Sequence, residues 1–173
     1  MKNRSYFSPA ILVLAFIVFF SSCRDKEEPV VSPIVGSWNF SAFSFDMQIN
    51  GQPLEQFLVA LGLSTQEAQQ TANEIRNQLF SAADFAGTVL IFKADGTYEV
   101  TVNGTVDESG TYELRNGNTL LRLTSDSETQ EFQVKELTTN RLTILLEEEE
   151  SDDFFEIGIP VLVKLQLELS FVK

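Results

Sequence analysis

The chain has 173 residues, 25 acidic side chains against 12 basic ones, and a formal charge of −13, a length that fits one domain. It contains no His and a single Cys, which excludes Ser-His-Asp and Cys-His catalysis, intramolecular disulfides and Cys-rich metal sites. Its acidity argues against a nucleic-acid partner, because phosphates require a basic protein face.

Residues 1–22 have the three parts of a signal peptide. Lys2 and Arg4 supply positive charge, residues 10–20 form an unbroken apolar run, and two serines then precede Cys23. An apolar run of this length is too short to span a bilayer, which needs about 20 residues. We therefore predict that residues 1–22 are removed from the mature protein.

The only cysteine stands directly after these small residues. Phe20-Ser21-Ser22-Cys23 resembles the lipobox of bacterial lipoproteins and differs from it at Phe20, where Leu is usual. The resemblance implies cleavage before Cys23 and attachment of fatty acyl chains, such as palmitate, that anchor the protein to a membrane. An ordinary secretory signal followed by a free thiol is the alternative.

Residues 23–33 are expected to form a flexible tether after the lipid. Their charges and Pro29 cannot bury apolar surface. Lys26-Glu27-Glu28 resembles the charged export signal of surface lipoproteins in Gram-negative bacteria. This resemblance implies an outer-membrane protein exposed at the cell surface, and a periplasm-facing anchor is the alternative.

From Pro33 onward, apolar and polar residues alternate with a period of two, which predicts β-strands. Asp95-Gly96, Asn103-Gly104 and Asn116-Gly117 are typical of hairpin turns between antiparallel neighbours. A phase shift between Phe40 and Phe43 predicts a β-bulge in the first strand. The pattern gives eight strands, around residues 34–49, 89–92, 97–102, 112–114, 120–123, 132–134, 142–146 and 161–171.

The segment 53–80 is expected to be a helical insertion between strands one and two. Pro53 suits a first helical turn, and Gly62 suits the end of that helix. Ser64 and Glu67 have the spacing of a capping box at the start of a second helix. The apolar stripe of this second helix is thin, so we expect it to lie on a surface.

A meander of eight antiparallel strands hides its edges when it closes into a barrel. Gly36-Ser37-Trp38, the segment 92–98 and the segment 110–114 resemble phrases of the lipocalin-like domains found in bacterial lipoproteins. The resemblance covers residues 34–173. It implies an all-β, eight-stranded up-and-down barrel that binds a small apolar or amphipathic molecule without catalysis.

Two interpretations of the barrel interior are open. Its apolar side chains either form a filled core or line a cavity covered by the helices of residues 53–80. In the second case Tyr98 and Tyr112 would provide polar groups among apolar walls. The candidate ligand-binding residues are Trp38, Phe40, Phe92, Tyr98, Tyr112 and Leu165.

The acidic run 147–153 is expected to be a solvated loop between the last two strands. Its carboxylates could attract calcium, but no Asp-x-Asp-x-Asp-Gly loop is present, so we predict no metal and no cofactor. Phe154 and Phe155 follow and either tuck under the loop or form a patch for a partner. No nucleophile elbow, phosphate loop or dinucleotide motif is found, and we predict no enzyme. The alternative function is a filled-barrel accessory or inhibitor protein that contacts another envelope protein.

Overall fold

A computed structural model describes residues 32–126, 128–152 and 160–173, without the side chain of Asp152. The predicted signal peptide, Cys23 and the tether up to residue 31 lie outside the described residues, as do Phe154 and Phe155.

Antiparallel strands make up most of the described chain. They are β1 (Gly36–Ile49), β2 (Gln52–Pro53), β3 (Thr88–Phe92), β4 (Thr97–Val102), β5 (Thr105–Arg115), β6 (Leu120–Ser125), β7 (Thr129–Leu137), β8 (Arg141–Asp152) and β9 (Val161–Val172). Helices α1 (Leu54–Ala60) and α2 (Thr65–Leu79) and a 3-10 turn (Ala82–Phe85) lie between β2 and β3. Neither helix of the described segments is long and apolar enough to cross a membrane.

Each strand from β3 to β8 pairs with the next one along the chain, and β1 pairs with both β3 and β9. The sheet therefore closes into an antiparallel barrel of eight long strands, which confirms the predicted fold class. Strand β2 is a two-residue extension that pairs only with Gln48 and Ile49 of β1. The sequence did not predict β2 or the 3-10 turn, because a repeat of apolar residues can be recognised only over a longer stretch than the two or four residues of these elements.

Strand β1 changes partner along its length. Its first residues pair with β3, and from Asn39 to Ile49 it pairs with β9. The register with β9 shifts between Phe40 and Ala42, which confirms the predicted bulge. A bulge bends its strand and increases the twist, so the second half of β1 turns away from β3.

Two phenylalanines outside the barrel strands pack against the second half of β1. The ring centroid of Phe85 lies 5.7 Å from that of Phe40 and 5.5 Å from that of Phe43. The ring of Phe80 lies 5.1 Å from that of Phe45. These contacts bury apolar surface on the side chains of β1 around and beyond the bulge, as the large area of aromatic rings favours.

One end of the barrel, here called the closed end, holds both termini of the described domain. Trp38 is fully buried there, and its indole Nε1 donates a hydrogen bond to the carbonyl of Ile34 at 2.6 Å. Lys173 Nζ donates to the carbonyls of Pro33 and Val35 at 3.0 and 2.9 Å. The same ammonium lies 4.3 Å from the centroid of the Trp38 ring, a cation–π contact.

The opposite end of β1, here called the helical end, carries the insertion. Ser64 and Glu67 form the predicted capping box at the start of α2. Arg76 of α2 donates to both carboxylate oxygens of Glu55 on α1, at 2.5 and 3.0 Å, and lies 3.6 Å from Asp46 of β1. The hydrogen bonds from Arg76 lower the pKa of Glu55 despite its partial burial. Arg76 thus links both helices to the barrel.

The acidic run is not the solvated loop that the sequence predicted. Strand β8 continues through it to Asp152, paired residue for residue with β9. Glu147 accepts hydrogen bonds from Lys164 and Gln166 of β9, at 2.8 and 2.7 Å. Pairing with the long, alternating β9 keeps these acids in a strand despite their mutual repulsion.

Gly110 of β5 gives the first prediction. A Cβ atom there would lie 2.0 Å from the carbonyl oxygen of Thr124 and 2.9 Å from the Tyr98 ring. Gly110→Ala must displace the backbone of β6 or the buried ring, so we expect it to lower the free energy of unfolding by about 1–3 kcal/mol. Urea denaturation measures this, with exposed Ser109→Ala as the control. Equal stabilities of the two variants would contradict the tight contact.

Candidate ligand-binding site

Five of the six predicted site residues lie together in the core at the closed end. Trp38, Phe92 and Tyr98 are almost fully buried, and Phe40 and Tyr112 pack against the same cluster. The ring of Phe92 meets that of Tyr112 edge to face at 4.9 Å. None of the five borders the cavities described below. In this half of the barrel the structure favours the filled-core interpretation.

The hydroxyls of the two core tyrosines are engaged within the protein. Tyr98 donates a hydrogen bond to the carboxylate of Glu108, and Tyr112 donates to the carbonyl of Lys93 at 2.9 Å. Burial raises the pKa of both phenols, and the Glu108 carboxylate raises that of Tyr98 further. Both therefore act as neutral donors to protein groups, and the structure does not place them as the polar groups of a ligand cavity.

The sixth predicted residue, Leu165, belongs to a different place. It packs against a second hydrophobic cluster, formed where the helices meet β1 and β9. A cavity of about 320 Å³ lies here, the helix-covered cavity, and its lining is entirely apolar. Its walls are Met47 and Ile49 of β1, Leu54, Phe57 and Leu58 of α1, Ile75 and Leu79 of α2, and Val163 and Leu165 of β9.

A second cavity of about 360 Å³, the barrel cavity, opens between strands β5 to β9. Its apolar walls are Leu123, Phe132, Leu146, Leu167 and Leu169. Its polar lining is Glu108, Glu128, Gln130 and Glu148. The walls of the barrel cavity are thus mostly apolar, with three carboxylates and one amide among them.

The two cavities are neighbours along one face of β9. A smaller cavity of about 90 Å³ is lined by Glu148 and Glu150 of β8 and by Val163 and Leu165 of β9. It shares both β9 residues with the helix-covered cavity and Glu148 with the barrel cavity. Because they share these residues, the three spaces lie next to one another; together they are called the trough here, with an apolar end under the helices and an acidic end at the barrel cavity.

Some of these residues carried a readable signal in the sequence. The face of β9 that lines the trough is the apolar face that its alternation predicts. Glu148 and Glu150 fall on the same face of β8 as Ile144 and Leu146, because side chains two apart point the same way. The prediction of a loop hid this, since faces are defined only in a strand.

Within the described segments, no three His, Cys, Asp or Glu side chains are grouped so as to hold a metal ion.

Comparison with known proteins gives one match. A family model described as a lipocalin-like domain matches residues 34–144, which extend from the closed end to the fourth residue of β8. No curated protein and no solved structure matches the chain.

Trp38 tests whether the closed-end cluster is structural core. Trp38→Ala removes a fully buried ring that has one hydrogen bond and one cation–π contact. We expect it to lower the free energy of unfolding by about 3–5 kcal/mol. Val106→Ala, at a side chain that is 56% exposed, is the control and should change stability by less than about 0.5 kcal/mol. A loss below about 1 kcal/mol for Trp38→Ala, measured by chemical denaturation, would contradict the core role.

Proposed function

The chain belongs to the family of lipocalin-like domains, since the family model matches more than half of it, and from this we propose that it is a binding protein for a small apolar or amphipathic molecule. A lipocalin-like barrel indicates small-molecule binding, and this fold is typically a non-catalytic binder. We place the binding site in the trough, with the helix-covered cavity as the chamber for the apolar part of the ligand.

The helix-covered cavity is the observation that carries the proposal. Its volume of about 320 Å³ falls within the range of small-molecule pockets, about 300–1,000 Å³. Its walls are apolar throughout, so the free energy of the system falls when an apolar group replaces water in the cavity. The walls come from both sides, strands β1 and β9 below and helices α1 and α2 above, so an apolar group bound there would contact protein on two sides.

The helices serve as the lid of this cavity. Leu54 of α1 and Ala72 of α2 are buried against the barrel and hold the helices in place. Arg76 adds polar links to Glu55 and Asp46 at the rim. The Arg76–Glu55 pair is partly buried, with 19% and 31% of the two side chains exposed, so it helps to hold the helices over the cavity.

We also propose that the protein is a lipoprotein anchored through acyl chains on Cys23 to the outer membrane of a Gram-negative bacterium, at the cell surface. The lipobox-like sequence and the charged residues after it support this. The described chain begins at the closed end, and β1 then runs 14 residues, about 45 Å, to the helical end. The tether therefore joins the domain at the end far from the lid.

Val163 tests the binding site. It lines the helix-covered cavity, and Leu162 beside it on β9 points the other way and is 38% exposed. We expect Val163→Trp to fill the cavity and weaken binding of the apolar fluorescent probe N-phenyl-1-naphthylamine at least tenfold, and Leu162→Trp to leave binding unchanged. Fluorescence titration measures binding, and thermal unfolding verifies that both variants fold.

Two results would count against the proposed function. Equal weakening by both variants would place the probe outside the cavity. No binding of the probe to the wild type would favour the alternative, an accessory or inhibitor protein that contacts another envelope protein.

Cys23→Ala tests the anchor. Without the thiol no acyl chain can be attached, so we expect the full-length variant to leave the membrane fraction or to remain unprocessed when it is expressed in a Gram-negative host. Fractionation and intact-mass measurement check this, with Ser32→Ala in the tether as the control. Retention of a processed Cys23→Ala protein in the membrane fraction would contradict lipidation.

A further inference from the structure

Carboxylates border the barrel cavity from strands β5 and β8 and from the residue just before β7. Glu148 continues the inward row of β8, where Ile144 and Leu146 precede it and Leu165 lies opposite. Glu108 of β5 pairs with Val100 of β4, whose neighbour on the same face is the buried Tyr98. Glu148, Glu108 and Glu128 all border the same space of about 360 Å³.

One of these carboxylates is held in place by the core. The hydroxyl of Tyr98 donates a hydrogen bond to Glu108, and the ring that carries it is almost completely buried. A side chain that a hydrogen bond already holds in one position loses less conformational entropy when a ligand binds to it, which favours binding. Glu108 is thus a fixed negative group at the wall of the cavity.

No basic side chain of the described residues forms an ion pair with the three carboxylates of the barrel cavity. The hydrogen bond from Lys164 and, to a smaller extent, the charge of Lys135 act on Glu147, whose pKa they lower. The ion pairs of Arg76, Lys93, Arg115, Arg122, Arg141 and Lys164 all go to other acids. Lys173 lies at the closed end, on Trp38. The acidic wall of the barrel cavity therefore attracts cations and repels anions.

The same cavity has an apolar floor, formed by Leu123, Phe132, Leu146, Leu167 and Leu169. A hydrated inorganic ion would leave this floor wet, and a fatty acid would bring its carboxylate beside Glu108 and Glu148. A molecule with an apolar body and a positive head satisfies both surfaces. We propose that the barrel cavity selects amphipathic cations, with an ammonium or guanidinium head beside Glu108, Glu128 and Glu148.

This inference rests on the proposed function and assigns a charge to its ligand. The apolar tail would extend along β9, past Val163 and Leu165, into the helix-covered cavity. The head would stay at the acidic end, where it keeps part of its water.

Three probes of equal tail length test the charge of the head. They are decyltrimethylammonium, decyldimethylamine N-oxide, which has no net charge at pH 8, and decyl sulfate, each used below its micelle concentration. We expect calorimetric titration to show that the ammonium binds at least tenfold more tightly than the N-oxide and that the sulfate binds most weakly. Tetramethylammonium, which lacks the tail, should not bind measurably.

Neighbouring acids on β8 provide a matched pair of variants. Glu148 lines the cavity, whereas Glu149 lies opposite Lys164 on the outer face of β8. Replacing either glutamate with glutamine removes one negative charge, so the two variants differ only in where the charge is lost. Glu148→Gln should weaken ammonium binding about fivefold, because it removes the attraction of one carboxylate for the ammonium in contact with water. It should leave binding of the N-oxide unchanged, because that head has no net charge. Glu149→Gln should leave both affinities unchanged.

The outcomes separate this inference from the proposed function. Equal binding of all three probes, or equal effects of Glu148→Gln and Glu149→Gln, would overturn cation selection and leave the binding function standing. Binding of tetramethylammonium as tight as that of decyltrimethylammonium would reduce the site to general attraction by an acidic protein. Failure of all three decyl probes to bind would overturn both.

Discussion

Closure of the barrel through β1 and β9 is the constraint on which the rest of the structure depends. The first and last long strands pair from Asn39 and Val172 at one end to Ile49 and Val163 at the other. This pairing gives β9 a second neighbour and closes the sheet, so the backbone groups along that side of β9 are not left unpaired. It also brings Lys173 to the start of the domain, where the ammonium binds the carbonyls of Pro33 and Val35.

The bulge in β1 determines what kind of interior the closed sheet encloses. Strand β1 reaches beyond its pairing with β3, and its second half stays with β9 alone except at β2. The helical insertion covers the part of the sheet left without a neighbour. Helices meet a sheet less closely than strands meet each other, so a space remains between them. The closed end can therefore be solid while the helical end holds a cavity.

Period-two alternation was enough to predict the eight long strands, their order and the bulge, because each depends on local sequence and on the need to bury one face. The site was predictable only in part. Leu165 was predicted to share one site with Trp38 and Phe92, but the structure places it in a separate cluster, because its position depends on where along the barrel the helices pack. The acidic run was mistaken for a loop, because charge density alone predicts exposure and does not reveal a partner strand as long as β9.

The family match ends at residue 144, and it includes most of the core of the closed end together with the side chains of β1 and of both helices that line the helix-covered cavity. The fully buried core residues Trp38, Phe92 and Tyr98 lie inside the matched segment and stabilise the closed end. The second half of β8 and all of β9, which supply Glu148, Val163 and Leu165 to the trough, lie beyond it. A core that is already solid at one end can tolerate an unfilled space at the other, although each such space costs stability. The last two strands therefore complete the core through Phe171 and add Glu148, Val163 and Leu165 to the trough, so one closed sheet carries both a solid end and a trough that is apolar at one end and negatively charged at the other.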